Sequence, residues 1–118
     1  INDDIIIVVM LETPKAINNV EEIASVPGID VLLVGTNDLC MEMGIPGEFN
    51  HNDVKEAYKK VIQACNNNNI LPGMGGVYDE TLMHEYIDLG MKFILSGSDL
   101  SFLVKGAEDR LNNLKNKG

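Results

Sequence analysis

Positive charge is scarce in this chain. Nine Lys and Arg stand against 18 Asp and Glu, a formal charge of −9 at pH 7. Such a surface repels phosphate backbones and anionic lipids, so neither nucleic acid nor a membrane is an expected partner. No apolar run approaches the roughly 18 residues of a membrane-spanning helix. The opening Ile1-Asn2-Asp3-Asp4 puts no basic stretch ahead of an apolar one, so no signal peptide is expected. Ile1 is an unusual first residue, and we expect the chain to be a piece of something longer. Cysteine is limited to Cys40 and Cys65. Their spacing disfavours a zinc site, and they read as two reduced thiols of a cytoplasmic protein. No histidine is obviously placed to activate Cys40. His51 and His84 read as surface residues, and the few phenylalanines and tyrosines form no stacking pattern.

What the chain does have is alternation. Its 118 residues, 45% of them hydrophobic, suffice for one domain spanning 1–118. Ile5 to Met10 is continuously apolar and rich in β-branched residues, which suits a parallel strand covered on both faces. Thr13 then Pro14 read as an N-cap and first helical residue, followed by a helical stripe of Ile17, Val20, Ile23 and Ala24. Pro27-Gly28 ends it, and Val31 to Val34 makes a second strand. Cys40 to Met43 suits one short helical turn, broken by Gly44-Ile45-Pro46-Gly47. Asn50 or Asn52 is expected to cap a long helix with Val54, Ala57, Tyr58, Val61, Ile62 and Cys65 on one face. Asn66 to Asn69 is its polar exit.

Ile70 to Met74 is a third strand. Asp79 caps a helix with Leu82, Met83, Tyr86 and Ile87 inside, closed by Gly90. Phe93 to Ser96 is a fourth strand, and Ser98 or Asp99 caps a last helix striped from Leu100 to Leu114. Asn112 to Gly118 reads as a polar tail.

Four successive βα units predict an α/β fold with a parallel sheet. Three architectures fit: half of an eight-stranded barrel, a small open doubly wound sheet, or a free-standing half barrel pairing with its copy. Short connections and polar residues at strand C-terminal ends favour barrel-type units, a (β/α)4 half of a TIM-type (β/α)8 barrel.

Glu12 and Asp38 carry the chemistry. Each follows an apolar strand, about one βα unit apart. If those strands are parallel neighbours, both carboxylates emerge at one end of the sheet. Two carboxylates there, with room for water and an oxygen-rich substrate, suit Mg²⁺ or Mn²⁺. Taken singly, Glu12 also reads as a solvated carboxylate near a helix N-terminus, and Asp38 as an Asx turn capping the next helix. Gly35 lets backbone approach a ligand, and the amides after it suit a carboxylate or phosphate. Ser96-Gly97-Ser98-Asp99 echoes this segment, with N-capping preferred to phosphate binding for Asp99. The glycines of Gly73-Met74-Gly75-Gly76 leave room for substrate against the backbone, or simply make a flexible loop.

Several motifs in order resemble one family. Met10-Leu11-Glu12-Thr13-Pro14, Asn19 to Val31, Gly35-Thr36-Asn37-Asp38-Leu39, Met43-Gly44-Ile45-Pro46-Gly47 and Gly97-Ser98-Asp99-Leu100 are similar to the HpcH/HpaI aldolases, over about residues 5 to 107. That resemblance implies a metal-dependent class II lyase on a β/α barrel of the phosphoenolpyruvate/pyruvate superfamily. Such enzymes cleave or form carbon–carbon bonds of 2-keto-acid aldols through a pyruvate enolate. It implies metal ligation by Glu12 and Asp38, and pyruvate's carboxylate against Gly35, Thr36 and Asn37, where the family usually has proline at the position of Thr36. It implies a homo-oligomer. A full barrel is roughly twice this length, so the chain corresponds to the C-terminal half. The family's arginine and proton-transferring histidine belong to the other half, which leaves this part catalytically incomplete by itself. Two further readings stand beside it: a non-catalytic half barrel binding a divalent metal and a small keto acid, and an acyl-CoA lyase like the citrate-lyase β-chain.

Overall fold

The computed structural model describes residues 5–95, together with Arg110. The last helix expected from Ser98 onward, and the Ser96–Asp99 turn, lie outside the described residues.

Strand β1 (Val8–Leu11) leads through Thr13 into helix α1 (Pro14–Asn18). The Thr13 hydroxyl accepts from the Ala16 amide at 3.1 Å, and Pro14 occupies the first turn, where its missing N–H costs nothing. One continuous helix was the expectation for this stripe. The chain instead breaks at Asn19, with φ −99° and ψ 12°, and restarts as α2 (Val20–Ala24). The break keeps Ile17, Val20 and Ala24 all buried against the same core.

Strand β2 (Val31–Gly35) runs straight into α3 (Thr36–Glu42). The short helical turn therefore begins earlier than the sequence suggested. Asp38 sits within the first turn of α3 and Gly35 is the capping position, so Asp38 is not the Asx cap. After a loop comes α4 (Asn52–Asn68), the longest helix. His51 caps it, not Asn50 or Asn52: its Nδ1 accepts from the Asp53 amide at 3.0 Å. Val54, Ala57, Tyr58, Val61, Ile62 and Cys65 are all buried, as the 3.6-residue period requires. Asn69 ends α4 in the left-handed region, at φ 58°, a conformation asparagine tolerates. Strand β3 (Leu71–Gly75), helix α5 (Glu80–Leu89) and strand β4 (Phe93–Ile94) complete the described chain. Asp79 caps α5 through the Leu82 amide, and Gly90 closes it at φ 136°.

The four strands are parallel and lie in the order β1-β2-β3-β4. The doubly wound alternative needs a strand-order reversal that these four strands do not show. In-register neighbours share a face, since side chains alternate along a strand. Val9, Leu11, Leu32, Val34, Met74 and Ile94 therefore form the layer that meets the helices. Val8, Met10, Leu33, Leu71 and Phe93 form the opposite layer. Covering on both faces was expected for the first strand, but Val8 is 38% and Met10 52% exposed. Ile87 departs in the same way, exposed on α5 where an inside position was expected, while Tyr86 beside it is fully buried.

Candidate functional site

Leu11 pairs with Val34 in parallel register. Glu12 and Gly35 are the next residues of their chains, so Glu12 emerges beside the end of β2, and Asp38 follows three residues later in α3. Both carboxylates thus belong to the C-terminal end of one sheet. Glu12 is half-buried and Asp38 exposed. Among the described residues neither carboxylate takes a hydrogen bond or an ion pair, and no cluster of three or more His, Cys, Asp or Glu gathers there.

Two glycines shape this end of the sheet. A Cβ built on Gly35 would lie 2.8 Å from Glu12 Cγ and 3.4 Å from its Cδ. Only glycine lets the Glu12 side chain lie across the end of β2. Glu12 in that cradle and Asp38 in the turn that follows are both hard carboxylate donors, the type a divalent oxygen-seeking cation takes. Gly76, at φ +85°, is the second: a Cβ there would come 3.3 Å from the Asn37 amide nitrogen and 3.9 Å from that of Thr36. Gly76, the residue after β3, therefore lies next to the start of α3. The amides of this first turn lack intrahelical partners and carry the positive end of the helix dipole.

A pair of aromatic rings that pattern reading missed joins α4 to α5. Tyr58 and Tyr86 stack with centroids 4.3 Å apart at 46°. The Tyr86 hydroxyl donates to the Phe49 carbonyl. Burial pushes Tyr86 from its ordinary 10.0 up to about 12, and raises Tyr58 as well. Cys65, a free buried thiol, is pushed by burial from 9.0 up to about 11, and Cys40 is raised by burial and by Glu48. Neither thiol suits a nucleophile, since burial disfavours the thiolate.

These shifts carry a stability consequence. The folded chain keeps protons that the unfolded chain releases from about pH 9 upward. Stability is therefore fully present below pH 9 and falls as pH rises through about 11 to 12. We expect the urea midpoint to be level between pH 7 and 8.5 and to drop steadily above pH 9.5. A midpoint that rises over that upper range would contradict the burial of these groups.

A parallel sheet of sequential βα units, with its chemistry-bearing side chains at strand C-terminal ends, defines a barrel-type α/β fold. Comparison with known proteins narrows that class. The sequence profile of the HpcH/HpaI aldolase/citrate lyase family matches residues 1–106, and the chain belongs to that family. It is 38% identical over 105 residues to 4-hydroxy-4-methyl-2-oxoglutarate aldolase of Chaetomium globosum, covering 87% of this chain and 39% of that protein. It is 34% identical over 107 residues to 4-hydroxy-2-oxo-heptane-1,7-dioate aldolase of Klebsiella pneumoniae, covering 91% and 40%. The crystal structure of an HpcH/HpaI aldolase from Desulfitobacterium hafniense superposes with a TM-score of 0.80 at 27% identity, over 96% of this chain and 44% of the other. The chain thus spans about 40% of the length of the curated relatives it matches. It is a homologue of 4-hydroxy-2-oxo-acid aldolases, from a family that is typically dependent on a divalent metal. No helix among the described residues is long and apolar enough to cross a membrane.

Proposed function

We propose that this chain is the metal- and keto-acid-binding part, the C-terminal half, of a class II pyruvate aldolase. The observation that supports this reading is the Glu12 side chain lying over Gly35, at the C-terminal end that β1 and β2 share and from which α3, with Asp38 in its first turn, departs. In it, Glu12 and Asp38 hold Mg²⁺ or Mn²⁺. Bound there, the ion supplies Lewis-acid polarisation of a substrate's keto oxygen. The residues of the chain do the rest of the binding. The amides around Gly35, Thr36 and Asn37 receive the substrate carboxylate, and Gly76 leaves them reachable. Proton transfer needs groups beyond these, so the 118 residues bind a 2-keto acid but turn it over poorly. The test is cleavage of a pyruvate aldol with Mg²⁺ or Mn²⁺, run on this chain and on one extended to the relatives' full length. We expect metal-dependent activity in the extended chain and at least about a hundredfold less here, some 2.7 kcal/mol in barrier. An extended chain indifferent to chelation would overturn the proposal.

The same reading implies assembly. The inner layer of the sheet, with Val8, Met10, Leu71 and Leu95 each 38–52% exposed, is too apolar to stay in water. Strand β1 also ends the described sheet as an open edge. We expect this chain to form dimers or larger species at micromolar concentration. Light scattering that gives a sharp monomer mass, unchanged on tenfold dilution, would exclude it.

A further inference from the structure

Apart from tyrosine and cysteine, Thr36 is the only polar residue buried among those described. It is also the first residue of α3, at the turn that carries the site. Its Oγ1 lies 2.5 Å from the Tyr58 hydroxyl and donates, at 3.4 Å, to the Val34 carbonyl. Each hydroxyl has one proton. In the 2.5 Å bond either hydroxyl can be the donor, and Thr36 Oγ1 is the atom shared between the two contacts. The relay therefore runs from α4 to β2 through the first residue of α3.

Tyr58 is itself held. It is fully buried and stacks on Tyr86, which is tied to Phe49. The β2–α3 turn is thus gripped from the helix side by Tyr58, while Gly76 abuts it at the Asn37 amide. The grip of Tyr58 on Thr36 sets the direction of the next residues, Asn37 and Asp38, while the missing Cβ of Gly76 leaves the Asn37 amide uncovered.

Stability alone does not call for this relay. Replacing both partners of a buried hydrogen bond by apolar groups of the same shape is close to neutral. What an apolar pair would lose is the fixed rotation of the turn. We propose that Thr36 and Tyr58 are positioning residues: their hydroxyl relay orients the first turn of α3, hence the Asn37 and Asp38 amides and the Asp38 carboxylate, for a carboxylate-bearing ligand. The ligand side of this rests on the aldolase reading above; the orientation of the turn does not.

The experiment compares Thr36→Val, Tyr58→Phe, the double variant and Thr36→Ser in this chain. Two quantities are read besides the urea midpoint. One is the dissociation constant of pyruvate at saturating Mn²⁺. Thr36→Val and Tyr58→Phe should each raise it about tenfold, the double variant should add little, and Thr36→Ser should stay within about twofold of the parent. Unchanged pyruvate binding alongside a lowered urea midpoint would make the pair a mere core contact and overturn the proposal.

The second quantity needs no ligand: the ¹⁵N order parameters of the Asn37 and Asp38 amides. They should fall from about 0.85 toward 0.6 in the valine and phenylalanine variants, with β2 and α4 unchanged. If the parent chain itself binds no pyruvate, the aldolase reading fails, and these order parameters alone decide the positioning role. Values that stay at the parent's level overturn it.

Discussion

Glu12→Gln and Asp38→Asn should each weaken Mn²⁺ binding by at least about tenfold, on the order of 1.4 kcal/mol, and together by about a hundredfold. Each amide keeps the shape of the side chain and removes the charge that a hard cation requires. The geometry supplies a sharper variant, Gly35→Ala. It leaves every donor in place, yet its Cβ would lie 2.8 Å from Glu12 Cγ, so the glutamate must swing away. Its Mn²⁺ affinity should fall with that of Glu12→Gln. Glu42→Gln, on an exposed position of α3, serves as the control and should titrate like the parent. If Glu12→Gln and Asp38→Asn also titrate like the parent, the metal assignment is wrong.

Leu32→Ala should cost about 3 kcal/mol, within the usual range for a buried leucine. Leu32 is fully buried at the centre of the layer between β2 and the helices. The loss is a large fraction of a typical total stability of about 5–15 kcal/mol. It should move the urea midpoint down by about 1.5 M. Ile87→Ala removes as many carbons from a position 43% exposed on α5, and should cost well under about 1 kcal/mol. Both variants belong at one protein concentration, because association adds to apparent stability. Equal costs at the two positions would mean that the helices do not pack on the Leu32 face.

The contrast between these two residues shows where sequence reading succeeds. Leu32 lies in an apolar run with only one sensible environment. Ile87 falls next to Tyr86 on α5, and a short helix leaves its apolar stripe ambiguous by one position. The parallel order and the shared end of Glu12 and Asp38 were legible because strand, helix and turn signals repeat at regular spacing. The family motifs point to the same two carboxylates.

What was not legible depended on contacts distant in sequence or on near-ties. His51 took the cap of α4 from two asparagines, against the usual preference, because it stands at the position before the first turn and its Nδ1 is also an acceptor. The relay between Thr36 and Tyr58 joins residues on different elements, and no local period announces it. The open inner face of β1 was misread for a related reason. An apolar run says that a surface wants cover, and does not say which part of a molecule provides it.

The sheet order has a consequence for how the chain is made. Val8 pairs with Val31, Val31 with Leu71, and Gly73 with Phe93, so every strand docks on the one synthesised just before it. Among the described strands, none waits for a later one to be inserted between it and its neighbour. Such neighbour-by-neighbour pairing keeps closing loops short and favours growth of structure from the N-terminal side as the ribosome releases the chain. The growing edge is then always the newest strand, and its partner is the next segment to emerge.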